Sequence, residues 1–295
     1  MSLIPQKIRL IFWLLLSAVS MIGFTRSFWT DFIDMFSYGF IIDGHHAAPY
    51  GMMVLCLLFL LSRRNKLKEE MARPVTGRDY MYIAVGLALI TAAVILPGET
   101  DFVLLKLFMT LVGAFAVVFG RAAKTPAVLL AVFAAATTFP LFVASYFEWI
   151  YAKAAIIPLK AFALLLGLPL GGDGQILNLL TGTGQSITVM VKAACAGPST
   201  MGFFLGLFGL MYMDMPLPLK RVWAVFAFGV AGTWLQSVIR LLIILAAGHY
   251  LGENALWTAH FWTIYLLFPA WYLVFVLVYF KQAGGKKIID KAVSA

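Results

Sequence analysis

Three residues, Cys195, Arg240 and His260, have the chemistry of a thiol-based acyl-transfer site. A thiol attacks only as the thiolate, which forms most readily at a helix N-terminus or beside a cation. Histidine exchanges protons near neutral pH, so His260 is a candidate to take the thiol proton and return one to a leaving amine. Arginine stays charged and carries a fork of donors, so Arg240 is a candidate to stabilise a thiolate or an oxyanion.

The elements that must position these residues are membrane helices. Of the 295 residues, 62% are hydrophobic and only 12% are charged. Apolar runs of about 18 residues or more recur along the chain, which predicts a polytopic membrane protein. The net charge of +9 is typical of basic cytoplasmic loops, so we predict no nucleic-acid partner. Two cysteines do not make a disulfide framework, and no pattern predicts a cofactor.

Eight spans can be drawn, each near the roughly 20 residues that a bilayer needs. They cover residues 8–25, 47–62, 80–97, 102–120, 126–148, 197–214, 222–247 and 260–280. We interpret the first as a retained anchor rather than a cleaved signal peptide. The predicted fold class is therefore all-α, a transmembrane helical bundle of about eight spans, with residues 1–295 forming a single integral membrane domain.

The basic residues cluster in alternate loops. One side carries Lys7, Arg9, Arg63, Arg64, Lys66, Lys68, Arg73, Arg78, Arg121, Lys124, Lys220, Arg221, Lys281, Lys286, Lys287 and Lys291. The other carries only Arg26, Lys153, Lys160 and Lys192. The positive-inside rule then predicts a multi-pass protein of the cell membrane with both termini in the cytoplasm.

The longest segment on the other, extracytoplasmic side is residues 149–196. Within it, Ile157–Leu170 is too short to span and is read as an interfacial or re-entrant helix. Residues 175–180 and 185–192 flank a Thr-Gly-Thr-Gly turn, which predicts a small outer β-hairpin. This hairpin would deliver the cysteine to the start of the sixth span.

The predicted topology brings the three candidate residues to one membrane face. Cys195 lies at the outer start of the sixth span, and His260 at the first turn of the eighth. Arg240 lies inside the seventh, roughly 10 Å below its outer end. Ionisable groups inside spans are expensive and mark functional sites, so we predict that the three meet at the outer interface.

On these residues the chain resembles the exosortase/archaeosortase family of membrane enzymes. The cysteine motif is similar to Ala194–Gly197, the arginine motif to Ser237–Arg240, and the third position matches His260. The resemblance covers mainly residues 155–280; the earlier spans match only in being membrane helices.

The resemblance implies a cysteine protease or transpeptidase with Cys195 as nucleophile, Arg240 stabilising negative charge and His260 transferring protons. It implies cleavage of C-terminal sorting tails of secreted proteins at the outer membrane face. Such a tail has a short signature, a transmembrane helix and a basic cluster, and the acyl group passes to water, a lipid or another amine acceptor. Two departures stand out: Gln236 and Ser237 replace a usual Asn, and Pro198 replaces a bulky apolar residue.

The candidate residues also allow other functional interpretations. Arg240 could bind an anionic solute in a transporter or act as a structural clamp, and His260 could be an interfacial residue beside Trp257. His249 or Glu253, in the same outer loop, could replace or assist His260.

A metal-dependent enzyme would use the histidines. His45, His46, His249 and His260 fall on the outer side with Asp43, but without close ligand spacing, and we predict no metal site. Cys56 lies in the middle of the second span and is predicted to be a core residue.

Overall fold

The structure, a computed structural model, describes residues 6–25, 47–73, 76–96 and 100–284. The chain divides into two compact units, Met1–Ala135 and Ala136–Ala295. Each unit contains a buried apolar cluster of its own. The single-domain prediction for residues 1–295 concerns the chain as a whole and stays a prediction.

The first unit is built from apolar helices. They are α1 (Gln6–Thr25), α2 (Ala47–Ser62), α3 (Arg64–Ala72), α4 (Tyr80–Ile95), α5 (Thr100–Phe119) and the first half of α6 (Lys124–Tyr146). Helices α4 and α5 pack at close range because glycines face each other: a Cβ added to Gly86 would lie 2.6 Å from the oxygen of Gly113. Small residues at such a crossing let two backbones approach. Cys56 is 1% exposed, which confirms that it is a core residue.

Two buried charged residues tie the helix ends of the first unit together. Arg9 donates to the backbone oxygens of Met71 and Val118, at 3.0 and 2.8 Å. Asp79 accepts hydrogen bonds from Thr76 and from the backbone N–H of Arg121. Helix ends leave backbone groups without partners inside the helix, and these side chains supply partners.

The second unit carries all three candidate residues. It contains the second half of α6, then α7 (Glu148–Leu165), β1 (Leu170–Gly171), β2 (Ile176–Leu180), β3 (Ser186–Met190), α8 (Pro198–Asp214), α9 (Leu219–Leu251) and α10 (Glu253–Gln282). The strands form an antiparallel sheet in the order β1-β2-β3, with Leu170 opposite Leu179 and Ile176 opposite Met190. The predicted hairpin is therefore confirmed, and β1 adds a strand that was not predicted.

One face of this sheet is buried against helices. Leu177 and Leu179 of β2 are fully buried, and their neighbours along the strand are exposed, as period-2 alternation requires. They form an apolar cluster, the sheet cluster, with side chains of α7, α9, α10 and the segment between β3 and α8: Ala152, Ala155, Ile156, Leu159, Val191, Ala196, Val238, Leu241, Ile244, Leu245 and Leu256. The sheet cluster fixes the segment that leads from β3 into α8.

A second cluster holds α8, α9 and α10 together away from the sheet. It contains Phe204, Phe275 and Tyr279, all 0% exposed. Gly229 of α9 lets the ring of Phe204 approach, since an added Cβ would lie 2.2 Å from that ring. The hydroxyl of Tyr279 donates to the backbone oxygen of Met215 at 2.7 Å. These contacts set the relative positions of the helices that carry the candidate residues.

Each of the eight predicted spans overlaps a helix in the described part of the chain; residue 97, the predicted end of the third span, lies outside it. In the described part of the chain, three stretches are long and apolar enough to cross a membrane, Phe102–Tyr146, Leu219–Leu251 and Glu253–Gln282. Ala48–Ser62 and Tyr80–Ile95 are shorter apolar helices. The structure thus supports an α-helical membrane protein, while the count of about eight crossings stays a prediction.

The helices differ in their bounds from some of the predicted segments. The helices that contain the seventh and eighth predicted spans, 222–247 and 260–280, extend beyond them, because α9 continues to Leu251 and α10 begins at Glu253. The helix placed at Ile157–Leu170 begins earlier, at Glu148, and ends at Leu165. The predicted end at Leu170 is set by the glycines that follow it, Gly171 to Gly174, whereas α7 stops where Gly167 takes positive φ. Helix α9 likewise stops where Gly252 takes positive φ.

Candidate active site

Cys195 lies on a short 3₁₀ turn, Ala193–Ala196, between β3 and α8. The turn is held from both ends: the N–H of Cys195 donates to the oxygen of Lys192 at 3.0 Å, and Ala196 is buried in the sheet cluster. Cys195 itself is partly exposed and is a free thiol. The backbone at Cys195 is therefore held in place, while its thiol is partly exposed.

Gly197 makes the link from this turn to α8. It has φ 89° and ψ 35°, a left-handed conformation that favours glycine. It also leaves no room for a side chain, since an added Cβ would lie 2.2 Å from Oγ of Ser237 and 2.9 Å from Oγ1 of Thr200. Pro198 then occupies the first turn of α8, where its fixed φ and missing N–H are suited. The departure from the family pattern at this position is thus compatible with the helix start.

Arg240 is buried in α9, at 5% exposure. Its Nε donates to Oγ1 of Thr263 at 3.3 Å, and its Nη2 donates to the backbone oxygen of His260 at 3.1 Å. Both acceptors are neutral, so these bonds orient the guanidinium without cancelling its charge. Arg240 also lies near enough to Cys195 for the two side chains to interact electrostatically. The structure therefore places the predicted cation within electrostatic range of the predicted thiol.

His260 is the eighth residue of α10, about two turns from its start at Glu253, so the prediction of the first turn is wrong. Leu256, His260 and Thr263 are spaced three or four residues apart and share one face of α10. Leu256 packs in the sheet cluster and Thr263 binds Arg240, so this face is turned toward α9. The contact between His260 and Arg240 uses the histidine backbone, and the ring packs edge-on against Trp257 at 5.9 Å.

The alternative proton carriers have structural partners. Nδ1 of His249 is hydrogen-bonded to the backbone oxygen of Leu180, and its own backbone oxygen accepts from the N–H of Gly182 at 2.8 Å. His249 thus links the hairpin turn to the end of α9 through two hydrogen bonds. The carboxylate of Glu253 accepts from the indole N–H of Trp257 at 3.4 Å.

The residues named for a metal site are only partly described. His45, His46 and Asp43 lie outside the described residues. Within residues 6–25, 47–73, 76–96 and 100–284, no group of three or more His, Cys, Asp or Glu is placed to hold a metal ion.

Sequence reasoning missed Thr263 as the group that orients Arg240. The sequence signal that could have identified it is a threonine in an apolar segment, three residues after a candidate histidine. Thr263 also donates to the backbone oxygen of Ala259 at 2.6 Å, which orients its own hydroxyl so that a lone pair can accept from Arg240.

Fold and site together define a helical membrane protein in which a buried arginine lies within electrostatic range of a free thiol. The family model described as transmembrane exosortase matches residues 29–277, and the chain belongs to this family. No curated protein and no solved structure matches the chain. The match reaches well before residue 155, so the likeness is wider than the 155–280 region that the motifs indicated.

Proposed function

We propose that this protein is a membrane-embedded cysteine protease or transpeptidase that cleaves C-terminal sorting tails of secreted proteins. Cys195 is the nucleophile, Arg240 stabilises negative charge, and His260 transfers protons. The observation that carries the proposal is the buried guanidinium of Arg240, which has neutral hydrogen-bond partners and lies in electrostatic range of Cys195. Placing a charge in a low-dielectric interior is costly, and an anion beside it recovers part of that cost.

The reaction has two acyl-transfer steps. The sulfur of Cys195 loses its proton to His260 and attacks the carbonyl carbon of the scissile peptide bond. The carbon–nitrogen bond then breaks, and the amine leaves with a proton from His260. Water or an amine acceptor next attacks the thioester carbonyl, gives its proton to His260, and expels the thiolate, which then takes that proton back from His260.

Arg240 acts on charge that develops during both steps. The tetrahedral intermediates place a negative charge on the former carbonyl oxygen, close to the attacking sulfur. A preoriented donor at such a position contributes more than one that must reorganise, because it is already fixed before the charge appears. The hydrogen bond from Arg240 to Thr263 supports this fixed orientation.

The proposed substrate is a secreted protein whose tail has a short signature, a transmembrane helix and a basic cluster. The distribution of Lys and Arg supports a multi-pass arrangement with both termini in the cytoplasm of the cell. The site would then lie at the extracytoplasmic face, where a membrane-anchored tail presents the junction between its helix and its secreted domain.

The decisive experiment compares the two cysteines. A tailed substrate is co-expressed with the wild type, with Cys195→Ala or with Cys56→Ala, and tail removal is followed by mass spectrometry. We expect no tail removal with Cys195→Ala and normal removal with Cys56→Ala, since both variants lose a sulfur but only one loses the nucleophile. Tail removal by Cys195→Ala would refute the proposal.

A covalent intermediate gives a second readout. We expect the wild type to accumulate a hydroxylamine-sensitive substrate adduct at Cys195 when the acceptor is withheld. A transporter, the other function that Arg240 allows, would instead show solute uptake in proteoliposomes that is lost in Arg240→Gln and kept in Cys195→Ala.

A further inference from the structure

Gln236 in α9 is a buried amide without hydrogen-bond partners. It is 7% exposed, and neither its Oε1 nor its Nε2 is hydrogen-bonded. Within the part of the chain that the structure describes, it is the buried amide side chain in which both the oxygen and the nitrogen lack a partner. Buried polar groups are nearly always paired, so an unpaired amide in a fold calls for a ligand or a specific reason.

The position of Gln236 places it beside the candidate active site. It lies four residues before Arg240, and residues four apart share one face of a helix. One turn further along the same face, an added Cβ on Gly232 would lie 2.0 Å from the ring of Trp271. Gln236 therefore lies between the contact of α9 with Trp271 and the contact of Arg240 with Thr263, about 6 Å along the helix from Arg240.

Gln236 lies inside the predicted seventh span, 222–247, where a substrate backbone has little water to bind. It is 15 residues before the end of α9 at Leu251, which corresponds to roughly 22 Å along the helix. The helix that contains a peptide bond must be unwound there before a nucleophile can reach the carbonyl carbon of that bond. Unwinding frees backbone N–H and C=O groups, and away from water these need protein partners.

We propose that Gln236 binds a backbone peptide group of the unwound substrate segment next to the cleaved bond. This inference rests on the proposed protease or transpeptidase function. A primary amide offers two donors and one acceptor, so it can donate to the C=O and accept from the N–H of the substrate backbone. Gln236 is thus a substrate-positioning residue, and the unpaired amide is the free form of a substrate subsite.

The test compares Gln236→Met with Thr233→Val, a matched change one turn away on the same helix. Thr233 already has a partner, since its Oγ1 accepts from the indole N–H of Trp271 at 2.9 Å. We expect Gln236→Met to keep or raise the unfolding temperature and to lower kcat/KM for tail removal at least tenfold, mainly through KM. We expect Thr233→Val to lower the unfolding temperature and to change kcat/KM less than threefold.

A backbone-modified substrate supplies the second measurement. In synthetic tail peptides, the amides that flank the cleaved bond are replaced one at a time by esters, which removes a single N–H. We expect one ester to slow the wild type about tenfold and to have no effect on Gln236→Met, because the acceptor is already gone. If the methionine variant does not fold, Gln236→Leu takes its place in both measurements.

The failure of this inference is distinct from the failure of the proposed function. Full kcat/KM in Gln236→Met, with Cys195→Ala inactive, would overturn the role of Gln236 and leave the protease in place. An ester effect of equal size in the wild type and the variant would also overturn it. Tail removal by Cys195→Ala would overturn the function itself.

Discussion

Gly197 gives the sharpest test of how the backbone positions the candidate nucleophile. In Gly197→Ala, two separate penalties arise. The left-handed conformation, with φ 89°, costs a residue with a Cβ about 1–2 kcal/mol. The new Cβ would also lie 2.2 Å from Oγ of Ser237, and overpacking of this kind costs about 1–3 kcal/mol. We therefore expect the free energy of unfolding to fall by about 2–5 kcal/mol.

A second substitution separates the two penalties. Ser237→Ala removes the atom that clashes and leaves the conformation of residue 197 unchanged. Alone it loses one hydrogen bond, from Oγ of Ser237 to the backbone oxygen of Thr233, at a cost of about 1 kcal/mol or less. In the double variant we expect about 1–2 kcal/mol to be regained, since the overpacking is relieved and the strain remains.

The assay is denaturant unfolding in detergent micelles for the four members of the cycle, with tail removal measured in parallel. Cys195 is two residues before Gly197, so a backbone shift displaces the sulfur; a displacement near 1 Å costs about 100-fold in rate. We expect that loss in Gly197→Ala and only partial recovery in the double variant. Additive effects of the two substitutions, or an unfolding free energy within about 1 kcal/mol of the wild type for Gly197→Ala, would refute the reasoning.

Two further predictions test charge placement. Arg240→Lys keeps the charge and loses the fork that binds Thr263, so we expect the initial rate of tail removal to fall about 10–100-fold; an unchanged rate would show that charge alone suffices. Burial alone would raise the pKa of the Asp79 carboxyl, but hydrogen bonds from Thr76 and Arg121 outweigh it and hold the pKa below its ordinary value. The carboxylate therefore contributes stability above about pH 4, which is lost as pH falls through the folded pKa. We expect Asp79→Asn to lower the free energy of unfolding by about 2 kcal/mol at pH 7, and its difference from the wild type to shrink below about pH 4; a difference that is constant with pH would contradict the role of the charge.

The local elements were largely predictable from the sequence. The second predicted span, 47–62, coincides with α2, and the Thr-Gly-Thr-Gly turn predicted the hairpin that leads to Cys195. Both signals are local: a run of apolar residues and a turn with two glycines each specify structure over a few neighbouring positions. The two-residue strand β1 carries no such signal, since only its pairing with β2 makes it a strand.

The sequence by itself determined that this is a helical membrane protein, and it named the thiol, the cation and the imidazole that could do chemistry. Only the tertiary structure decided their surroundings: the bond from Arg240 to Thr263, the contact between Gly197 and Ser237, and the unpaired amide of Gln236. The physical reason is the distance along the chain over which each kind of signal acts. Hydropathy and turn signals act between neighbours in the chain, whereas a hydrogen bond or a steric contact between two helices depends on how distant segments pack.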